Sequence, residues 1–454
     1  MRRVENRFKT TIKITCLLLA SLLLIVEESC RKEGDDFSPL VLAPPGKPNI
    51  IVILADDYGY EVPGFDGGQS YSTPNLNSMA QQGVRFTQCH STALCSPSRF
   101  MLLTGKYNFR NYSTWGVMDT SQRSFANMLR DAGYATCVAG KWQLDGGDTL
   151  IRHLGFDNYI VWEILGSDED VEKGSRYKDP LLYEDGAYLP ADSVKDKYGE
   201  DIFTNYILNF IQASHDKNKP FLVYYPCCLT HSPFCPTPDD AEFSTWDPNN
   251  VFGDTKFFPS NVSYMDKKIG QIVSKLRDIG VDRNTIILFT GDNGTSDKIS
   301  SKFNGYYIQG GKGHTTEYGT HVPLVVYAPA FIRSGVNDDL IDFTDFLPTL
   351  ADLAHIPRPT TYGVLDGVSF YPAIADPWSS PRDWIFCHFD PHSEGNNQVI
   401  RYVQNKNYKY YEDGRFYDIV RDILERDPIP DRQLTAEEKT VKQQFINVLG
   451  EMHN

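Results

Sequence analysis

Pro48-Asn49-Ile50-Ile51-Val52-Ile53-Leu54-Ala55-Asp56-Asp57 is an unbroken apolar run that ends in two carboxylates. A continuous run, as opposed to alternation, is the pattern of a strand buried on both faces, as in a parallel sheet covered by helices. Runs of the same kind recur at 134–142, 220–225, 285–293 and 322–328, separated by helix-like stretches that include 125–132, 202–213 and 262–279. This alternation predicts an α/β fold with a large, mostly parallel central sheet flanked by helices. In such sheets ligands sit beyond the carboxyl ends of the strands, and Asp56, Asp57, Lys141, Asp292 and Asn293 all fall at or just past such ends. From about 356 the pattern changes to short strand-like pieces at 384–388, 399–403 and 408–411, then a polar helix near 435–449. The expected organisation is a leader at 1–30, a linker at 31–47, a main domain at 48–355 and a smaller C-terminal α+β subdomain at 356–454.

With 454 residues, 41% hydrophobic and 13% aromatic, the chain can bury a sizeable core. A formal charge of −15 argues against nucleic acid as a partner, because such binding needs a basic footprint. It leaves an anionic small substrate open, since a few focused cations outweigh the global sum within a pocket. At the start, Arg2, Arg3, Arg7, Lys9 and Lys13 precede an apolar run at 14–26 that is short for a membrane span and reads as an export leader. Ser29-Cys30 resembles a lipoprotein cleavage site, although Glu27 and Glu28 depart from the usual apolar residues there. The expectation is a periplasmic or cell-surface lipoprotein that meets the membrane only through a lipid anchor at Cys30. Seven cysteines follow the leader (Cys89, Cys95, Cys137, Cys227, Cys228, Cys235 and Cys387), without the paired CxxC spacing of a zinc ribbon and too sparse for a disulfide framework. Cys137, in an apolar strand, reads as a small buried hydrophobe.

Three features carry chemistry. Cys95-Ser96-Pro97-Ser98-Arg99, continuing to Leu103-Thr104-Gly105, reads as a loop entering a helix with Cys95 exposed near the helix N-terminus. Alone, this would suit a low-pKa thiol nucleophile beside a guanidinium. Asp56-Asp57 and the turn Gly291-Asp292-Asn293-Gly294 offer hard oxygen ligands suited to Ca²⁺ or Mg²⁺. Either pair alone would more often be a turn former or helix cap. Lys141 in Gly140-Lys141-Trp142, His231 in Thr230-His231-Ser232-Pro233 and Lys312 in Gly310-Gly311-Lys312-Gly313 add cationic and proton-transfer groups. Singly, each would usually be a solvated loop residue.

Together these motifs resemble the type I, formylglycine-dependent sulfatases of the alkaline phosphatase superfamily, whose signature is Cys-x-Pro-Ser-Arg followed by Thr-Gly. The resemblance extends from Asn49 to roughly Asp418 and makes the main domain the catalytic one. It implies that a maturation enzyme oxidises Cys95 to formylglycine. The hydrated aldehyde then attacks sulfur with one oxygen, and loss of a proton from the other releases sulfate from the resulting hemiacetal. It further implies a divalent cation, Ca²⁺ with Mg²⁺ as the alternative, on Asp56, Asp57, Asp292, Asn293 and residue 95. By the same resemblance Arg99 holds the nucleophile, Lys141 and Lys312 clamp sulfate oxygens, and His231 lies near the leaving oxygen. A sulfated carbohydrate is the expected substrate.

Two positions depart from the family pattern. Where Lys-x-His is common, this chain has Lys141-Trp142-Gln143, and Gln can hydrogen-bond but cannot act as a base. His314, two residues after Lys312, is the candidate for the missing proton acceptor or for a substrate contact. His321 stands where Arg is common. The competing readings are a phosphate or phosphonate ester hydrolase of the same superfamily and a catalytically silent glycan-binding protein.

Overall fold

The computed structural model describes residues 46–163, 175–250, 252–375, 379–391 and 399–452. The leader, Cys30 and nearly all of the linker lie outside the described residues. Ten strands form the main sheet: β1 (Asn49–Ala55), β2 (Val84–His90), β3 (Ala135–Lys141), β4 (Asn158–Trp162), β5 (Leu182–Glu184), β6 (Ala187–Tyr188), β7 (Phe221–Pro226), β8 (Thr285–Gly291), β9 (His321–Tyr327) and β10 (Gly335–Asp342). Their spatial order is β10-β2-β9-β8-β1-β7-β3-β4-β5-β6. At the centre β8, β1, β7, β3 and β4 run parallel.

All seven residues of β1 are buried, because both faces of the sheet are covered. Ile50, Val52 and Leu54 join a core with α2 (Cys95–Thr104), α3 (Phe125–Asp131), α6 (Phe346–Leu353) and α7 (Ala436–Glu451). Ile51, Ile53 and Ala55 join the opposite core with α1 (Pro74–Gln82), α4 (Gly199–Asp216) and α5 (Phe258–Asp278). This is the packing that a continuous apolar strand demands.

One strand departs from the expected direction. β9, anticipated among the parallel runs, lies antiparallel to both β8 and β2. A parallel return needs a crossover, usually a helix, to carry the chain back to the sheet's other end. Between Gly291 and His321 there is only a hairpin (Ser300–Phe303 with Tyr306–Gln309) and one helical turn, Glu317–Thr320. The chain stays at the carboxyl end of β8 and starts β9 there.

The C-terminal region forms an antiparallel sheet of β11 (Ile385–Phe389), β12 (Ile400–Gln404), β13 (Tyr408–Tyr411) and β14 (Phe416–Asp418), with α7 packed on it. The main sheet and this sheet belong to one contact unit, Leu42–Asn454. No helix among the described residues is long and apolar enough to cross a membrane.

His90, the last residue of β2, is fully buried and stacks on His321 with ring centroids 4.9 Å apart. Burial pushes its pKa down to about 3, against the pull of the Glu317 carboxylate and with repulsion from His321 and Lys409. The unfolded chain therefore takes up a proton below pH 6.5 that the native state excludes, and stability falls as pH falls from 6.5 toward 3. From pH 7 to pH 5 this costs about 2 kcal/mol. Urea unfolding at the two pH values should show stability falling by about 2 kcal/mol less in His90→Leu than in the unsubstituted protein; an unchanged pH dependence would contradict the assignment.

Candidate active site

The site is assembled where five strands running in one direction end, four of them (β8, β1, β7 and β3) side by side. Lys141 is the last residue of β3, Asp56 and Asp57 follow β1, Asp292 and Asn293 follow β8, and His231 lies five residues beyond β7. β2 ends at the same edge, since His90 pairs with His321 at the start of β9, and leads to Cys95 at the start of α2. Asp56 is tied to the loop after β7 by reciprocal backbone bonds with Leu229 (2.9 Å) and Thr230 (2.7 Å). Gly291 has to be glycine, because a Cβ there would sit 2.0 Å from the Tyr58 carbonyl oxygen.

The signature segment has a local physical account. Pro97 falls in the first turn of α2, where its missing N–H removes no helical bond. The Ser98 hydroxyl accepts from Thr92 N (3.1 Å) and donates to Leu94 O (2.8 Å), fastening the preceding loop to the helix. Gly105 ends α2 in the left-handed conformation at φ 68°, which glycine adopts without strain. Every residue of α2 is buried.

That burial corrects one expectation. Cys95 is at the helix N-terminus but is not exposed: it is 2% accessible, enclosed by the charged cluster. Nor is it a low-pKa thiol, because burial pushes its pKa up despite nearby Lys141 and Lys312. Cys137 is buried in β3, and all seven cysteines of the described residues are free and buried.

Charges in the cluster interlock. Lys141 Nζ lies 3.0 and 2.8 Å from the two Asp56 oxygens. Arg99 donates to Asp292 Oδ2 at 2.8 Å and lies 3.6 Å from Asp56 Oδ1. Lys312 Nζ lies 2.7 and 2.8 Å from the Asp57 oxygens, and Asn293 Nδ2 donates to Asp57 Oδ1 at 2.9 Å. Burial alone would push the Asp56 and Asp57 carboxyls up, but neighbouring groups, chiefly the Lys141 ammonium for Asp56 and the His231 ring, where it carries a proton, with the Lys312 ammonium for Asp57, hold both below their ordinary value. Asp292 is the exception: burial, with repulsion from Asp56, pushes it up to about 7. His231 Nδ1 is enclosed by Arg176 (2.9 Å) and Ser232 O (2.5 Å), leaving Nε2 on the side of Asp57, 3.8 Å from its Oδ2. Burial drives the His231 pKa down to about 3, so the ring is neutral at pH 7.

A hard cation fits this donor set. Donor atoms of Asp56, Cys95 and Asp292 lie within 4.8 Å of one another, as do those of Asp56, Asp57 and His231. The buried Asn293 Oδ1 has no hydrogen-bond partner among the described residues, which leaves an amide oxygen free to ligate.

Against known proteins, residues 48–356 match the family model described as Sulfatase. The chain belongs to the sulfatase family. It is 30% identical to arylsulfatase A of Homo sapiens over 367 residues, covering 75% of this chain and 70% of that protein. With N-acetylglucosamine-6-O-sulfatase of Bacteroides thetaiotaomicron it shares 27% identity over 486 residues, covering 84% and 82%. Among solved structures, Ps i-CgsB superposes with a TM-score of 0.73 at 22% identity, covering 89% of this chain and 92% of that one. A second, BT4656 in complex with its substrate D-glucosamine-2-N,6-O-disulfate, gives 0.68 at 22% identity, covering 89% and 97%.

In this sulfatase the sequence departure lies beside residue 95: Cys95 Sγ donates to Gln143 Oε1 at 3.3 Å. Gln143 is held at φ 53°, uncommon for a residue with a side chain. His314 is exposed, and no hydrogen bond of its imidazole joins the cluster among the described residues. His321 stacks on Tyr60 (4.2 Å) and meets the Glu317 carboxylate (3.5 Å). Sequence reasoning missed Arg176, which is buried, stacks on Trp162 at 4.4 Å and holds His231. A single arginine far from every motif gives no pattern to find.

Proposed function

We propose that this sulfatase removes sulfate from a sulfated carbohydrate, using formylglycine made from Cys95 by a maturation enzyme and a divalent cation, Ca²⁺ with Mg²⁺ as the alternative. The observation that carries this reading is the packing of the residue 95 side chain against the Asp56 and Asp292 carboxylates inside one buried cluster. Relatives named for sulfate on N-acetylglucosamine and N-acetylgalactosamine, and the neighbour bound to a disulfated glucosamine, support a sugar substrate.

Asp56, Asp57, Asp292, Asn293 and residue 95 would hold the cation, which supplies polarisation of a sulfate oxygen. A hydrated aldehyde at position 95 would supply one oxygen to attack sulfur as the bond from sulfur to the sugar oxygen breaks, its proton ending on that leaving oxygen, and a second oxygen whose proton passes to solvent as the sulfate departs and the aldehyde is restored. Three buried carboxylates (Asp56, Asp57, Asp292) are balanced by three cations (Arg99, Lys141, Lys312), so a bound dication leaves a positive pocket for the sulfate anion. Arg99 would orient residue 95, and Lys141 and Lys312, which pair with Asp56 and Asp57, would bind sulfate oxygens. Such fixed donors serve charge spread over a transferring group. His231, neutral at pH 7, hydrogen-bonds to the leaving oxygen through Nε2. Gln143 accepts a hydrogen bond from the residue 95 side chain but takes no proton from it.

His314 is read as a substrate contact at the rim of the Lys312 loop. His314→Ala should raise KM about ten-fold with kcat unchanged, the signature of lost uniform binding. Gln143→His should leave turnover within about three-fold. A collapse of kcat in His314→Ala would make His314 the base that Gln143 is not.

The catalytic domain is assigned to 48–355, with a C-terminal subdomain from 356. Export as a lipoprotein, anchored at Cys30, suits an enzyme facing extracellular glycans. The test is sulfate release from a panel of sulfated monosaccharides and oligosaccharides, with phosphate and phosphonate esters in parallel. Release of sulfate with far slower phosphoester cleavage is expected; the reverse preference would select the superfamily alternative, and no turnover by fully matured protein the silent glycan binder.

A further inference from the structure

The segment that carries Lys312 has little structure of its own. From Gly310 to Thr320 it forms only the single turn Glu317–Thr320, and it folds back so tightly that a Cβ on Gly319 would lie 1.8 Å from His314 O. Its backbone touches both halves of the catalytic cluster. Lys312 N donates to Thr295 O (3.0 Å) and Gly319 O accepts from Gly294 N (2.9 Å), beside the Asp292-Asn293 turn. Gly313 N donates to Ala93 O (2.9 Å), two residues before Cys95. A shift of this segment would therefore displace Lys312 Nζ relative to the nucleophile.

What holds the far side of the segment comes from the C-terminal sheet. Lys409, on β13, is fully buried; its Nζ donates to Thr315 O and to Glu425 Oε1 (2.9 Å), and sits 3.9 Å from the Tyr402 ring centroid. Tyr411 OH lies 3.0 Å from Thr315 Oγ1 and bonds Glu425 as well. From β12, Gln404 Nε2 donates to Glu317 Oε1 at 3.0 Å. Thr315 and Glu317 are three and five residues beyond Lys312. Burying an ammonium is costly, and a well-packed apolar side chain is often as stabilising as a buried ion pair. An apolar residue at 409, however, could not grip the Thr315 carbonyl and so could not set where the segment sits.

We propose that the C-terminal sheet is a positioning element for the sulfate-binding lysine. Lys409, Glu425, Tyr411 and Gln404 clamp the segment at Thr315 and Glu317 and thereby fix Lys312 over the site. The proposal rests on the reading of Lys312 as a sulfate contact. It assigns the C-terminal sheet a part in the chemistry although Lys409 touches neither nucleophile nor cation donors. Misplacing a catalytic group by about 1 Å can cost about 10²-fold in rate, which sets the scale expected here.

The test is a kinetic double-mutant cycle on the matured full-length enzyme, with sulfate release from its best sulfated sugar as readout. Lys409→Met together with Glu425→Gln removes the carbonyl clamp without leaving a buried charge unpaired. It should lower kcat/KM at least ten-fold where Lys312 is intact. With Lys312→Ala already in place, the same pair should change kcat/KM by less than two-fold, because the clamp then has nothing to position. A merely structural role would give equal losses in both backgrounds, and that result overturns the proposal, as does no loss in the Lys312-intact enzyme. Should the paired variant not fold, Tyr411→Phe, which deletes one hydroxyl, should give a smaller loss of about three-fold that likewise vanishes with Lys312→Ala. If Lys312→Ala alone leaves kcat/KM unchanged, the reading of Lys312 fails and takes the proposal with it. If it impairs the enzyme but the cycle is additive, the clamp alone is wrong.

Discussion

Cys95→Ala is expected to abolish sulfate release, with kcat falling by about 10⁵-fold or more, the scale on which loss of a covalent nucleophile acts. The reason is positional as well as chemical. Residue 95 opens α2 and is packed within 4.8 Å of carboxylate atoms of both Asp56 and Asp292. The remaining cations would still bind the substrate anion, so affinity for a sulfated sugar should change by less than about ten-fold while turnover disappears. Calorimetric binding alongside the assay separates the two. Retained turnover in this variant would remove Cys95 from the mechanism, and unfolded protein would be visible by circular dichroism.

Loss of the cation should have the next largest effect. Dialysis against a chelator is expected to lower kcat/KM by about 10³-fold, with full recovery on adding Ca²⁺ and a smaller recovery with Mg²⁺. Asp292→Asn should mimic the loss and resist rescue, because it removes one carboxylate from the donor set. The milder Asn is preferable to Ala here. Arg99 is buried against Asp292 at 2.8 Å, and stripping that partner altogether would cost about 3–5 kcal/mol in stability. Activity indifferent to chelation, after prolonged dialysis with the metal content measured, would contradict the assigned role of Asp56, Asp57, Asp292 and Asn293.

Much of this was legible because fold and site share one grammar. An apolar run ending in Asp56-Asp57 says both that the strand is buried on two faces and that its carboxyl end presents carboxylates, and the structure places both in the buried charged cluster. Segments at 134–142 and 285–293 repeat that sentence, and the strands Ala135–Lys141 and Thr285–Gly291 stop at Lys141 and just before Asp292. What stayed hidden depends on long-range packing. The reversed direction of β9 depends on the lack of a crossover between Gly291 and His321, a negative feature that composition does not flag. β2 and β10 were overlooked because charged and polar residues such as Arg85, Gln88, Asp338 and Asp339 interrupt their apolar patterns. Burial of Cys95 was misjudged because the groups that enclose it come from β1, β3 and β8, tens to hundreds of residues away. Arg176 and Lys409, which act through His231 and Thr315, carry no local signature at all.

The central claim is that residue 95 works as an aldehyde, and peptide mass spectrometry of the fragment that carries it tests this most directly. The full chain would be produced with and without a formylglycine-generating enzyme, and each preparation assayed for sulfate release in parallel. The thiol mass should give way to the aldehyde mass, with specific activity rising in proportion to conversion. Full activity from protein whose Cys95 remains an unmodified thiol would contradict the account.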